Sequence, residues 1–308
     1  MNINNKHKAR KGIRRLFPTY LFALLLLPIG FTACNNDDPD GAEIFPTTAP
    51  NRDNFDKWLL KNFTNPYNIE VKYKMEDIYS DMTYDLVPAD SANSAKLMKI
   101  AKYLWFDAYA EVMGADFVKA NTPRVIHLIG SPAYNVGQGT MVLGTAEGGY
   151  IVTLYMVNSL TDKVLADYAT LNKFYFHTMH HEFVHILTQK KSYSQNYQLI
   201  TQDSYVSGDW YRISDQTAHQ AGYVTPYSMS ESNEDFAEMM STYITDSPAQ
   251  WQAILDDAGA TGADLINQKL AIVRSYMKES WGLDIDKMRD AVQRRGGEIG
   301  SLDLETLD

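Results

Sequence analysis

The sequence predicts an α+β fold, in which a small twisted sheet packs on a mainly helical domain. Segments with the alternation typical of strands are confined to residues 67–155, whereas helical periodicity dominates from residue 162 onward. Aromatic residues make up 12% of the 308-residue chain, which supplies enough bulk for a large core. A short set of strands followed by a run of helices is typical of the α+β class.

The β-rich segments are short and are bounded by turn-forming residues. Apolar residues alternate with polar ones from Tyr67 to Tyr73, as in a half-buried strand. Gly, Pro and Asn bound the other candidate strands, which span residues 124–129, 141–143 and 150–155.

Helical spacing of apolar residues occurs before, between and after these strands. Phe55, Trp58 and Leu59 indicate a first helix, and Leu97 and Leu104 belong to a second helix at about 91–112. The remaining predicted helices span residues 162–190, 231–245, 249–258, 263–280 and 284–295.

Residues 1–33 have the layout of a secretory signal peptide. Six Lys and Arg residues between positions 6 and 15 precede an apolar stretch, residues 16–33, that ends in small residues. A transmembrane anchor is the alternative. Because the stretch is near the lower limit of spanning length and contains Pro18 and Pro28, cleavage is the favoured interpretation.

Cys34 is the single cysteine of the chain and directly follows the predicted leader. The preceding Phe31-Thr32-Ala33 resembles a bacterial lipobox with Phe in place of the usual Leu. No second cysteine exists for an intrachain disulfide, so we expect lipid attachment at Cys34. Residues 34–50 include three prolines and four acidic residues and are expected to form a tether, which leaves residues 51–308 as one large domain.

The charge balance excludes some classes of partner. Removal of residues 1–33 takes away six of the 28 basic residues and none of the 38 acidic ones, so the mature chain has a net charge of −16. Such a charge argues against nucleic acid and anionic lipid surfaces as partners.

One motif, His181-Glu182-Phe183-Val184-His185, lies in an apolar run at residues 174–187. Two imidazoles four residues apart share one helical face, about 5–6 Å apart at Cβ, so their nitrogens can converge on one ion. Glu182 lies where a carboxylate can reach a water on that ion without ligating it. A chance match on an ordinary helix is the alternative, but three uncompensated polar groups in a buried helix would be costly. The motif predicts Zn²⁺ held by His181 and His185, with Glu182 as the base.

Catalytic zinc usually has a third protein ligand, and the predicted helix at 231–245 offers two candidates. Ser232, with Asp235 three residues later, indicates the helix start, and Glu234 and Glu238 share a stripe at i, i+4. One carboxylate could bind the metal while the other accepts the second N–H of a ligating histidine. An acidic run alone favours a solvated helix face, but the upstream motif reverses that preference.

Other histidines offer alternatives. His177 precedes His181 by one turn, so a metal pair of these two is geometrically possible. That register puts Thr178 where the base should be, which favours a supporting or core role for His177. His180 faces elsewhere and is expected to be structural, and His219 is expected on a surface loop, with the pocket as the alternative.

The combination of HExxH with a glutamate on a later helix resembles the gluzincin metallopeptidases. Thr225-Pro226-Tyr227, followed after six residues by Glu234-Asp235-Phe236-Ala237-Glu238, is similar to the catalytic domain of anthrax lethal factor. That domain has a catalytic tyrosine seven residues before its zinc-binding glutamate, which implies an oxyanion-donor role for Tyr227. The resemblance also implies a zincin-like fold whose edge strand borders the cleft, and residues 150–155 are our candidate for that edge.

A broader set of motifs resembles the zinc metallohydrolase lipoproteins of Bacteroidota. That resemblance implies zinc at His181, His185 and Glu234, and an outer-membrane lipoprotein that accompanies a TonB-dependent importer, on the cell surface or the periplasmic face. Acidic residues soon after Cys34 resemble the surface-export pattern of such lipoproteins. The segments that carry the resemblance are Phe55-Asp56-x-Trp58-Leu59, Pro66-Tyr67-Asn68-Ile69, residues 143–149, Val157-Asn158 and residues 176–187.

Taken together, these residues predict a membrane-anchored zinc metallopeptidase that hydrolyses peptides or proteins. Zinc would polarise the scissile carbonyl and acidify a water, and Glu182 would accept its proton. One alternative is a lipoprotein that retains a metal and captures substrate for an importer without cutting it, for which Glu182 would not be needed. Another is an amidase or other non-peptide hydrolase.

Overall fold

The computed structural model describes residues 51–135, 139–142, 144–147 and 150–307. The predicted signal peptide, the tether and the lipidation residue Cys34 lie outside these ranges and stay predictions. Within the described residues, no helix is both long and apolar enough to cross a membrane.

Helices account for most of the domain. The α-helices are α1 (Asn54–Leu59), α2 (Asn65–Tyr67), α3 (Ser91–Ala101), α4 (Asp107–Met113), α5 (Ala115–Asn121), α6 (Asp162–Leu165), α7 (Tyr168–Leu171), α8 (His177–Lys190), α9 (Asn196–Leu199), α10 (Asp215–Gln220), α11 (Ser232–Thr245), α12 (Pro248–Tyr276) and α13 (Ile285–Gly297). Wider π-helical turns continue α1, α3, α7 and α12, at Leu60–Thr64, Lys102–Phe106, Asn172–Phe176 and Met277–Trp281.

The strands form a four-stranded sheet and a separate hairpin. Their bounds are β1 (Glu70–Lys72), β2 (Val125–Leu128), β3 (Ala133–Asn135), β4 (Thr140–Val142), β5 (Gly144–Glu147) and β6 (Ile151–Leu154). The sheet has the order β1-β2-β6-β5, in which β5 alone is antiparallel to its neighbour. Strands β3 and β4 pair with each other. The small sheet on helices confirms the predicted α+β class.

The predicted edge strand is wrong. Residues 150–155 form β6, which lies between β2 and β5 and is hydrogen-bonded on both sides. The edge strand that borders the cleft is β5, whose Gly-Thr-Ala-Glu sequence lacks the β-branched run that strand prediction relies on.

One hydrophobic core joins the sheet to the helices. Apolar side chains of β2 and β6, such as Ile126 and Val152, are buried against the helical layer. The Trp105 ring lies edge-on to Phe183 of α8, with 5.0 Å between ring centroids. Helix α8 also packs along α11, so the segment with the HExxH motif lies between the sheet and a second buried helix. Burial on both sides explains why α8 is apolar around most of its circumference.

Two helix predictions need correction. The segment 162–190 is not one helix, because Asp167 accepts the backbone N–H of Ala169 and begins a new helix there. Helix α11 begins at Ser232 as predicted, but its capping position is Glu231, which makes no side-chain bond, and Asp235 is fully buried rather than part of a cap. By contrast, the predicted gap between 258 and 263 matches a break within α12, where Gly259 has a φ of 65°.

Candidate metal centre

Helix α8 brings three histidines onto one stripe. His177, His181 and His185 follow one another at four-residue intervals on a helix whose neighbouring side chains are mostly buried. The rings of His181 and His185 are 4.7 Å apart between centroids and nearly perpendicular. This arrangement directs Nε2 of both rings toward the same point, 3.0 Å from each other.

Glu234 of α11 completes a cluster of three ligand atoms. Its Oε2 lies 2.9 Å from Nε2 of His181 and 3.4 Å from Nε2 of His185. Ligand atoms on a tetrahedral zinc ion with bonds of 2.0–2.1 Å lie roughly 3.3 Å apart, so the three separations fit one face of such a tetrahedron. Two imidazoles and a carboxylate are also the donor set that zinc favours.

The electrostatics of the cluster favour a cation. Burial alone would lower the pKa of His181, but hydrogen bonds with Glu234 and Glu238 raise it to about 10. Burial opposes ionisation of Glu234 as well, yet the two histidines hold its pKa well below the usual range. Without a metal, the cluster therefore retains a proton between its nitrogen and oxygen atoms. A divalent ion would displace that proton.

Glu238 lies one turn further along α11 and holds the other side of His181. Its Oε1 is 2.8 Å from Nδ1 of His181 and 2.8 Å from Nε2 of His177. Thr225 donates a hydrogen bond of 2.7 Å to its Oε2. A carboxylate in this position fixes the orientation and tautomer of the histidine, so that Nε2 is free to face Glu234.

His177, His181 and Glu238 also form a set with close ligand atoms, which corresponds to the alternative register. His177 and Glu238 do not line the cleft beside the metal centre, whereas His185 and Glu234 do. An ion in that second set would lie outside this cleft, so the geometry favours the first set.

Glu182 and Tyr227 line the same cleft as His185 and Glu234. Burial raises the pKa of Glu182 above its ordinary range, although the histidines oppose the shift. The Tyr227 ring packs 5.9 Å from that of His181, and 36% of its surface is exposed. Burial and the nearby Glu234 charge raise the pKa of Tyr227, which keeps the phenol protonated and able to donate.

Two further histidines, His180 and His219, lie away from this cleft. His180 is fully buried, and its Nδ1 contacts the Tyr109 hydroxyl at 3.0 Å. His219 is part of α10 rather than of a surface loop, and its two nitrogens face Asp257 and the carbonyl of Val224.

Sequence reasoning missed three contributors to the site. The sequence pattern assigns Thr225 no role of its own. In the structure its hydroxyl donates to Glu238 and accepts the backbone N–H of Ser228, and so joins Glu238 to the turn that carries Tyr227. Gly144 and Thr145 of the edge strand β5 line the cleft. A Cβ at Gly144 would lie 2.5 Å from Cγ2 of Thr178 on α8, so only glycine permits this approach of the strand to the helix.

The third contributor is a buried ion pair beside Glu234. Lys269 of α12 lies 2.7 Å from Asp235, and both side chains are 0% exposed. The same Asp235 oxygen accepts a hydrogen bond of 2.9 Å from Tyr205. These contacts hold the first turn of α11, which carries Glu234, against α12 and against the segment that contains Tyr205.

Comparison with known proteins identifies the family of this chain. Residues 48–286 match the model of a family described as "putative zinc-binding metallo-peptidase". The chain belongs to this family. A crystal structure of a "putative zinc-binding metallo-peptidase" from Bacteroides caccae is similar to this chain, with 47% sequence identity and a TM-score of 0.73. The match covers 83% of this chain and 96% of that one. No curated protein matches the chain.

Membership of the zinc-binding metallopeptidase family confirms the predicted cofactor, zinc, for which the cluster of His181, His185 and Glu234 is a candidate site. The similar solved structure also supports the α+β architecture. Family membership makes the chain a zinc metallohydrolase at the level of class.

Proposed function

We propose that this protein is a gluzincin-like peptidase, with zinc held by His181, His185 and Glu234. The observation that carries the proposal is the convergence of two imidazole nitrogens and one carboxylate oxygen within 3.4 Å, at the wall of a cleft that Glu182 also lines. A purely structural zinc site is usually closed by four protein ligands and needs no adjacent carboxylate base. The cleft and Glu182 therefore favour catalysis over metal retention.

Each residue has a role that follows from its position. Zinc, when bound, supplies Lewis acidity that polarises a carbonyl and makes water easier to deprotonate. Glu182 accepts a proton from the attacking water and returns it to the leaving amine, and its raised pKa suits both halves of that exchange. Tyr227 donates its hydroxyl proton in a hydrogen bond to the oxygen that becomes negative in the transition state. Glu238 keeps His181 oriented, with His177 on the far side of the same carboxylate.

We further propose that the enzyme is an outer-membrane lipoprotein, anchored through Cys34 on the cell surface or the periplasmic face. The leader layout, the lone cysteine and the tether composition of residues 34–50 support the anchor. The partners would be peptide or protein substrates and a TonB-dependent importer, and the importer rests on the resemblance to Bacteroidota lipoproteins alone. Nucleic acid is not an expected partner of a chain with this charge.

Glu182→Gln tests the catalytic role. The variant should keep its fold and one zinc per chain, since no ligand changes, but lose nearly all hydrolysis of a random peptide library. Zinc is measured by plasma mass spectrometry and cleavage by mass spectrometry of the peptides. Turnover like that of the wild type in the variant would remove Glu182 from the mechanism.

The ligand assignment has its own controls. His181→Ala and His185→Ala should each lose zinc, whereas His177→Ala should retain it with weaker affinity. Loss of zinc from the His177 variant together with retention in the His185 variant would establish the alternative register. If the zinc-loaded wild type cleaves no peptide, the binding lipoprotein becomes the better description. Cleavage of small amides but not peptides would favour an amidase.

A further inference from the structure

The cleft beside the metal centre has a volume of about 730 Å³ and continues past His185 along α8. Thr188 and Gln189 follow His185 by three and four residues, so they lie on the same helical face one turn further on. The lining in this direction includes Tyr193 and Glu231, but most of it consists of neutral polar side chains from α8, from residues 192–198 and from the start of α11. They are Thr188, Gln189, Ser192, Gln195, Gln198 and Asn233.

Three primary amides in this wall are available to a ligand, those of the exposed Gln189 and Gln195 and of the half-buried Gln198. Gln189, Gln195 and Gln198 form no side-chain hydrogen bond within the part of the chain that the structure describes. Asn233, by contrast, already accepts a hydrogen bond from Tyr193, whose ring stacks on Phe236 at 4.0 Å. The three glutamines line the same wall as the Tyr193 ring and offer both hydrogen-bond donors and acceptors to the cleft.

The charges around the cleft further limit which substrate side chains could bind there. The ionisable carboxylates that line it are Glu182, Glu231 and Glu234, and neither Lys nor Arg occurs among its lining residues. Zinc would balance the two carboxylates nearest to it but leave Glu231 unpaired at the rim. An acidic substrate side chain would be repelled there, and an apolar one would cover amide dipoles without replacing their hydrogen bonds to water.

We propose that this amide wall is a specificity subsite, which selects an uncharged hydrogen-bonding side chain, such as Gln, Asn, Ser or Thr, next to the scissile bond. The inference rests on the proposed peptidase function and defines its substrate class. A site built to hydrogen-bond a substrate group rejects analogues that lack the group, because its own polar atoms are then left unpaired.

A peptide library with cleavage-site sequencing tests the subsite on the zinc-loaded protein. One position flanking the cleaved bond should be enriched in amide and hydroxyl side chains and depleted of Leu, Phe, Asp and Glu. A matched pair of peptides with Gln or Met at that position, which have similar shape, should then differ about tenfold in kcat/KM in favour of Gln.

Variants connect that preference to the wall. Gln189→Met and Gln198→Met should each reduce the Gln-over-Met ratio several-fold while zinc content stays the same. Gln252→Met, on the exposed surface of α12, should leave the ratio unchanged. A flat, apolar, acidic or basic preference in the wild type would overturn the subsite but keep the peptidase, and so would unchanged ratios in both wall variants. No cleavage of any peptide would overturn the proposed function and this inference together.

Discussion

Replacement of Lys269 by Met should destabilise the domain strongly. The Lys269 ammonium lies 2.7 Å from Asp235 and 3.6 Å from the centre of the Tyr223 ring, with neither charged side chain exposed. Methionine fills a similar volume but leaves the Asp235 carboxylate buried without a counter-charge. Removal of one partner from a buried ion pair costs about 3–5 kcal/mol. In a domain of this size, about 4 kcal/mol corresponds to a fall in Tm of roughly 8–16 °C.

The pH dependence of this loss identifies its cause. Burial raises the pKa of Asp235 from 3.8 to about 6 even beside Lys269. A folded pKa above the unfolded one favours the folded state at low pH, and that contribution is lost as the pH rises through about 6. Loss of Lys269 raises the pKa further. The stability difference between Lys269→Met and wild type should therefore be larger at pH 8 than at pH 5.

Calorimetry or urea unfolding at both pH values measures the effect. Lys287→Met, at an exposed position on α13, is the matched control and should change stability by at most about 0.5 kcal/mol. The double variant Asp235→Leu with Lys269→Met should recover most of the loss, because no unpaired charge remains. A loss below about 1 kcal/mol for Lys269→Met, or a loss equal at the two pH values, would refute the reasoning.

Three further predictions concern the site and the anchor. Glu238→Gln should weaken zinc binding about 10–100-fold in a chelator competition assay, since an amide replaces the carboxylate that orients His181. An unchanged zinc affinity would show that Glu238 does not orient this histidine. Tyr227→Phe should lower kcat about 10²–10³-fold with zinc content unchanged, because a transition-state donor is lost; kinetics like those of the wild type would move the role to another residue. Cys34→Ala should release the protein from the membrane fraction and abolish palmitate labelling, and equal labelling of both proteins would disprove lipid attachment at that position.

The part of the site that is local in sequence could be predicted, and the part that depends on tertiary contacts could not. The four-residue spacing within α8, and again from Glu234 to Glu238, determines which side chains share a helical face. Helical period therefore indicates the two histidines and the pair of carboxylates, whereas only the resemblance to known metallopeptidases implies that Glu234 is the carboxylate that binds the metal. The helix itself was recognisable because burial on both sides requires an apolar sequence.

Asp235 shows where such reasoning fails. Beside Glu234 and near Ser232, it has the pattern of a capping or solvated acid, and its partner Lys269 is 34 residues away on another helix. A buried charge is distinguishable from an exposed one only by its partner, which the local pattern does not contain. The edge strand β5 was missed for a related reason, since its strand conformation comes from pairing with β6 rather than from its own side chains.

Gly144 makes the position of one wall of the cleft a property of the scaffold. A side chain there would begin 2.5 Å from Cγ2 of Thr178, so the strand would have to retreat about 1 Å to reach an ordinary carbon–carbon contact. Strand β5 and helix α8 therefore lie closer together at this point than any residue with a side chain would permit. Misplacement of a reacting group by about 1 Å can cost roughly 10²-fold in rate. A residue with no side chain, and no chemistry of its own, therefore sets the distance between β5 and the helix that carries the histidines.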